Sequence, residues 1–162
     1  RARWRKQPRT SGMPTRHSGC ARPGARELDG QVDMLLVLDT TVLIDHLRGR
    51  SAVQRVLECR ERGFTPATTA VNIEEIVRGL RPAEVSVAEM LVEALVVLPI
   101  TTEVASLAGR WRREYAARGV TLWQADCLMA AAAAHARAPL ATGNPKDFPM
   151  REVEVEHWPV GE

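Results

Sequence analysis

Residues 34–39 read MLLVLD. An unbroken apolar run this short, closed by an acid, suits a strand covered on both faces, as strands of a parallel sheet are. Parallel neighbours need long crossovers, and the rest of the chain supplies them. Thr40, Thr41 and Val42 open a short helix closed by Gly49, and Ser51 is placed to cap a helix over 52–62, ended by Gly63. Residues 64–67 form a second short strand. Thr68 or Thr69 caps a helix over 70–80, halted by Gly79 and Pro82, and another helix covers 83–95. Residues 96–100 are a third strand. Thr101 or Thr102 opens a helix that runs to 118 and ends at Gly119. An alanine-rich helix over 122–137 stops before Pro139. Residues 140–142 are a fourth strand, followed by the turn GNPKDF, and 153–157 alternates like an edge strand. Strands alternating with helices predict an α/β fold: a small, mainly parallel sheet flanked by helices in three layers, with its ligand crevice beyond the carboxyl ends of the strands.

The charge is divided unevenly. Residues 1–33 carry eight Arg and Lys against three acids, whereas residues 34–162 carry 14 against 17. The net +2 therefore comes from the leading segment, and says nothing about partners of the body. Residues 1–33 are rich in Arg, Pro, Gly and Ser without apolar periodicity, which predicts a disordered basic extension. Met34 directly precedes the first apolar run and reads as a natural start, which would make that extension non-native. A basic arm for nucleic acid is the other reading. The expected organisation is the extension, 1–33, and one domain, 34–162. No run reaches the roughly 18 apolar residues of a membrane span, and no apolar stretch follows the basic N-terminus as in a signal peptide. Cys20, Cys59 and Cys127 lack metal-ligand or disulfide-framework spacing. A cytoplasmic protein with no membrane contact is expected.

Several carboxylates fall where chemistry is expected. Asp39 follows the first strand at the mouth of the crevice; a helix N-cap is the alternative. Asp126 lies in LWQADCLMAAAAAHA, where positions 122, 123, 129 and 130 are Leu, Trp, Met and Ala, so no cation stands one helical turn away. A buried carboxylate so placed must be protonated, paired or bound to a metal. The alternative is an exposed stripe of Asp126 with Trp123, Ala130 and Ala133. Glu74 and Glu75 both fall off the apolar face made by Ile73, Ile76, Val77 and Leu80. Spacing does not choose between them and favours two solvated acids. In ATGNPKDF, Thr142, Asn144 and Asp147 place a hydroxyl, an amide and a carboxylate in one turn, which plain turn chemistry also explains. Clustered carboxylates repel one another, and hard cations such as Mg²⁺ and Mn²⁺ prefer oxygen donors.

Four pieces in order, LDTTVLID at 38–45, EIVRG at 75–79, QADCLMAAAA at 124–133 and LATGNPKDF at 140–148, resemble the PIN-domain nucleases of the VapC type, toxins of bacterial type II toxin–antitoxin pairs. The resemblance spans residues 34–160 and implies a PIN-like fold, as read above. It implies an acidic site of Asp39, Glu75 (chosen over Glu74), Asp126 and Asp147, with Thr142 and Asn144 beside it. Family members vary at the position of Asp147. The resemblance further implies Mg²⁺, with Mn²⁺ as a substitute, held chiefly by Asp39 and Asp126 with Glu75 and Asp147 completing the set. RNA hydrolysis would leave a 5′-phosphate and a 3′-hydroxyl. A cognate antitoxin and a homodimer are also implied. Cations would have to line the approach: Arg48, Arg50, Arg78, Arg81, Arg110, Arg112, Arg113 and Lys146 are available. Trp111, Trp123 and Leu47 are candidates for an apolar groove that receives the antitoxin, with the core as the alternative for each.

Three other readings compete. A phosphotransferase of the haloacid-dehalogenase type needs a second Asp where Thr41 stands. A receiver domain needs an early acidic pair and strict strand–helix alternation, which the helices between 70 and 95 break. A non-catalytic PIN-like module that binds RNA or protein should lose acidic positions, and all four are present.

Overall fold

The computed structural model describes residues 34–161; the reading of 1–33 as a disordered extension lies outside the described residues. Five strands form one sheet: β1 (Met34–Leu38), β2 (Phe64–Thr69), β3 (Val96–Leu98), β4 (Leu140–Thr142) and β5 (Val155–His157). Their order is β3-β2-β1-β4-β5 and every pairing is parallel. Six helices connect them: α1 (Thr40–Leu47), α2 (Ser51–Glu61), α3 (Ala70–Gly79), α4 (Val85–Glu93), α5 (Thr102–Ala116) and α6 (Gln124–Ala136).

The unbroken apolar character of β1 has a direct explanation. Val37 enters one core with Trp111, Met129 and the alanines of α6, while Leu36 and Leu38 enter a second core with Val42, Leu43, Val56 and Trp158. The central strand is covered on both faces, so neither set of side chains is free to be polar. The alanines allow α6 to approach closely: Ala130, Ala131 and Ala133 are fully buried. That removes the exposed-stripe reading of Asp126, because the proposed companions Ala130 and Ala133 are core residues.

Several boundaries differ from the sequence reading. β2 extends to Thr69, β3 ends at Leu98, and β5 begins at Val155. A 3₁₀ turn over Pro82–Glu84 delays α4 to Val85. The alanine-rich helix starts at Gln124, since Trp123 has extended dihedrals and occupies the cap position. Thr69 and Thr101 cap α3 and α5 through side-chain bonds to Asn72 N and Val104 N. Ser51 does not cap α2. Asp45 supplies that function from α1, accepting from Ala52 N at 3.1 Å and from Ser51 Oγ at 3.3 Å.

Asp45 also ties down the chain's far end. Its Oδ1 accepts from Gly161 N at 2.8 Å, while Arg55 donates to the Pro159 carbonyl at 2.7 Å. Burial alone would raise the carboxyl of Asp45, but the bonds from Gly161, Ala52 and Ser51, with the charge of Arg50, outweigh it and hold the group below its ordinary range. No helix among the described residues is long and apolar enough to cross a membrane. Cys59 and Cys127 are buried free thiols.

Candidate active site

In an open parallel sheet, the ligand crevice forms where neighbouring crossovers leave in opposite directions. Here that place lies between β1 and β4: the chain leaves β1 toward β2 and β3, while β4 and β5 extend the sheet on the other side. Asp39 directly follows β1, and Thr142 ends β4. Asp39 takes the N-cap position of α1, yet its side chain makes no cap bond. Its Oδ2 instead accepts from Thr41 Oγ1 at 2.6 Å and from Thr142 Oγ1 at 2.7 Å. Both donors fall on one oxygen, so the carboxylate is oriented while Oδ1 retains its lone pairs for an ion or water.

Thr41 does a second job by accepting from Gly143 N at 3.0 Å. This requires the backbone to pass close at position 143. A Cβ there would stand 2.7 Å from Val160 Cγ2 and 3.2 Å from Thr41 Oγ1, which explains the glycine. Asn144 N donates to Thr142 Oγ1 at 3.0 Å, and Asn144 Nδ2 to Asp147 Oδ2 at 2.6 Å. The turn GNPKDF is therefore ordered around the site by its own polar side chains.

Glu75 is held from below. Thr40 Oγ1 donates to Glu75 Oε2 at 2.7 Å and accepts from Asn72 Nδ2 at 2.9 Å. Asn72 is buried and receives the Thr69 hydroxyl at 2.6 Å. The relay Thr69–Asn72–Thr40–Glu75 fixes one carboxylate through three uncharged groups. Glu74, one residue earlier, is exposed and reaches Arg78 at 3.9 Å. Geometry separates the two acids that spacing left equal.

Asp126 sits in the first turn of α6, partly buried. Burial pushes its carboxyl from 3.8 up to about 7, and the charges of Asp147, Asp39 and Glu75 push in the same direction, in that order. The structure thus brings the four sequence-selected acids into one electrostatic neighbourhood. Asp147, on which the resemblance placed least weight, contributes the strongest of the three charges. Beneath Asp126, the thiol of Cys127 rises to about 11 through burial and the Asp126 charge, partly offset by Arg112. It is a neutral core group and no nucleophile.

Sequence reasoning missed Thr40, Thr41 and Asn72 as members of the site. The first two read as helix openers; the partners of the Thr40 hydroxyl, Asn72 and Glu75, lie far along the chain, whereas Thr41 bonds Asp39 two residues before it, so the signal that could have found them was the pair of threonines directly after a strand-end acid. Trp111, a candidate for an apolar groove, is a core residue with its indole N–H on Glu152 at 3.3 Å.

The donor set is all oxygen and mutually repulsive, which suits a hard divalent cation. Among the described residues, no group of three or more His, Cys, Asp or Glu side chains is close enough to hold one ion together. Magnesium commonly binds one or two carboxylates and keeps several waters, so the residues present fit that mode and not an all-protein cage.

A parallel sheet with an acidic pocket at its switch point defines a small α/β nuclease-like domain. The chain belongs to the PIN domain family, whose match covers residues 36–153. Within it, the chain is 33% identical over 115 residues to ribonuclease VapC19 of Mycobacterium tuberculosis, covering 70% of this chain and 92% of that protein. It is also 33% identical over 118 residues to ribonuclease VapC10 of the same organism, covering 73% and 89%. Among solved structures, VapBC2 from Rickettsia felis bound to a promoter DNA fragment has a TM-score of 0.69 at 20% identity, over 77% of this chain and 99% of that one. VapBC-5 from Mycobacterium tuberculosis has 0.57 at 23%, over 76% and 98%. These structures share the fold.

Proposed function

We propose that this chain is the toxin of a type II toxin–antitoxin pair, a ribonuclease that hydrolyses RNA phosphodiester bonds with Mg²⁺ or Mn²⁺. The observation that carries the reading is Asp126, whose carboxyl is raised first by its burial and then by three further carboxylates from three other segments of the chain. Its relatives named ribonuclease VapC support the substrate class.

Asp39 and Asp126 would hold the ion directly or through water, with Glu75 and Asp147 completing the acidic set. A divalent cation bound there supplies Lewis-acid activation of water and neutralises charge on the phosphate. The protein's part is orientation. Thr41 and Thr142 fix Asp39, the Asn72–Thr40 relay fixes Glu75, and Asn144 fixes Asp147. A water oxygen gives up a proton as it attacks phosphorus in line, the bond to the 3′-oxygen breaks, and that leaving oxygen takes up a proton, so one water is consumed per bond cut. The products are a 5′-phosphate and a 3′-hydroxyl.

An acidic pocket needs cations on its approaches. Arg48, Arg50 and Arg78 are engaged with Glu84, Asp45 and Glu74. Arg81, Arg110, Arg112, Arg113 and Lys146 make no ion pair among the described residues, which leaves them for phosphate.

The solved toxin–antitoxin neighbours support a cognate antitoxin as partner. The exposed Val77 and Val85 line one apolar groove between α3 and α4 together with Ile73, Leu80 and Val92, consistent with a homodimer or an antitoxin contact. A cytoplasmic location fits both partners.

Cleavage of RNA by wild type and Asp126→Asn, each in Mg²⁺ and in chelator, tests the reading. Wild-type cleavage lost in chelator and absent from the variant is expected. Full activity in the variant, or activity indifferent to divalent metal, would overturn it. RNA binding without cleavage by the wild type would favour the non-catalytic module.

A further inference from the structure

The residues after β5 stay bound to the fold. Trp158 N donates to the Thr142 carbonyl at 2.8 Å, so the segment remains attached to the strand that carries a site residue. The Pro159 carbonyl accepts from Arg55 Nη1 of α2 at 2.7 Å, and Gly161 N donates to Asp45 Oδ1 of α1 at 2.8 Å. Val160 lies between these two anchors, so two helices fix its backbone from both sides. The carboxylate set contains none of these residues, yet ordering them costs conformational entropy.

Val160 is where the segment meets the site. It packs on the core that holds Leu38 and Val42. Its two γ-carbons fill the space in which a side chain at position 143 would stand: a Cβ there would lie 2.7 Å from Cγ2 and 3.0 Å from Cγ1. Gly143 has no side chain to hold it in place, and glycine has more backbone freedom to lose than any other residue. The Val160 methyls supply the missing wall. They keep Gly143 N against Thr41 Oγ1 at 3.0 Å, and Thr41 passes the constraint on by donating to Asp39 Oδ2 at 2.6 Å. A hydroxyl that accepts one bond has fewer directions left for its proton, so Gly143 N aims the Thr41 proton at the carboxylate.

We propose that residues 158–161 are a clasp that positions Asp39, with Val160 acting on it through Gly143 and Thr41. The proposal rests on the ribonuclease reading and adds to it a positioning residue that acts through other residues rather than on metal or RNA.

The test uses the full chain as wild type, Val160→Ala, Val160→Ile, Gly143→Ala and the double variant Gly143→Ala/Val160→Ala. Mn²⁺ binding is read directly from the loss of the free ion's paramagnetic resonance signal, beside metal-free melting and the kcat and KM of RNA cleavage. Val160→Ala should weaken Mn²⁺ binding by about 10-fold, the low end of what an outer partner of a metal ligand is worth, with KM for RNA little changed. Val160→Ile keeps the branched wall and should bind Mn²⁺ as wild type does. Gly143→Ala should weaken binding too, and adding Val160→Ala should restore part of the loss, because the methyls that clash with the new Cβ are gone.

A purely structural role would lower the melting temperature and leave the folded protein's Mn²⁺ affinity alone. Folded Val160→Ala that binds Mn²⁺ as tightly as wild type therefore overturns the clasp, as do strictly additive losses in the double variant. If Val160→Ala does not fold, Arg55→Gln carries the test by freeing the Pro159 carbonyl from α2. Weaker Mn²⁺ binding is then expected, and unchanged binding overturns the clasp. A wild type that binds no Mn²⁺ and cleaves no RNA overturns the ribonuclease reading itself, whereas normal wild-type binding and cleavage with unaltered variants overturns the clasp alone.

Discussion

The hydroxyl of Thr142 donates to Asp39 Oδ2 at 2.7 Å, joining residues 103 positions apart across the boundary between β1 and β4. The threonine is fully buried and Asp39 nearly so. The bond orients the strand-end carboxylate and links the two halves of the sheet. Thr142→Val keeps the shape and removes the donor. It should cost about 1–3 kcal/mol of stability, measured by denaturant unfolding, because a buried carboxylate loses one of two hydroxyl partners. Cleavage should fall by roughly 10- to 100-fold, the usual effect of removing a group that orients a metal-binding carboxylate.

Neighbouring glutamates should behave differently. Glu75→Gln should reduce activity strongly, and Thr40→Val should follow it in part because it breaks the relay from Asn72. Glu74→Gln removes only an exposed contact with Arg78 and should change stability by less than about 0.5 kcal/mol and activity little. Parallel cleavage assays and melts of the three variants check the contrast.

Asp126 gives the pocket a definite pH response. Its carboxyl lies at about 7 in the folded chain against an ordinary 3.8. Between these values the unfolded chain releases a proton that the folded chain retains. Metal-free stability should therefore fall as pH rises from about 4 to about 7 and then level off for this group. Asp126→Asn should flatten that fall and raise the metal-free melting temperature at pH 8. Protons compete with cations for the same carboxylate, so at subsaturating Mg²⁺ cleavage should rise through about pH 7. Added Mg²⁺ should move the midpoint lower. Melts and rate profiles at two metal concentrations measure both effects.

Asp45 responds in the opposite direction. Its folded carboxyl is held below 3.8, so its stabilisation is present above that value and is lost as pH falls through the folded value. Asp45→Ala leaves Ala52 N, Ser51 Oγ and Gly161 N without their acceptor. It should cost about 1–3 kcal/mol at neutral pH. Refolded variant should still show divalent-dependent cleavage, since Asp45 serves the α1–α2 corner and the C-terminal segment.

Periodicity and turn chemistry made much of this fold legible. The buried β1, the caps at Thr69 and Thr101 and the chain reversals at Gly49, Gly63 and Gly119 all declare themselves through local residues. The acidic site was legible only in part. Asp126 stood out because it lacks a cation in an apolar helix, whereas Glu75 was separated from Glu74 only through family resemblance. What decides between them is the Thr40 hydroxyl, 35 positions away, and no local pattern encodes such a distance. Asp45 was hidden for the same reason, since two of its partners follow the next turn and the third lies 116 positions on. The start of α6 was misplaced because Leu122 and Trp123 continue its apolar composition while their backbone is pinned outside the helix.

The strand order also has a consequence for synthesis. β1 is made first, but β4, its partner on one side, is made more than a hundred residues later. A nascent chain that ends before residue 140 carries Asp39, Glu75 and Asp126, yet lacks Thr142, Asn144 and Asp147. The ribosome therefore releases no assembled acidic pocket until residues 140–147 have been translated. Chains interrupted by stalling or termination before residue 140 lack these elements, so the acidic site stays incomplete until the segment carrying β4 and Asp147 emerges.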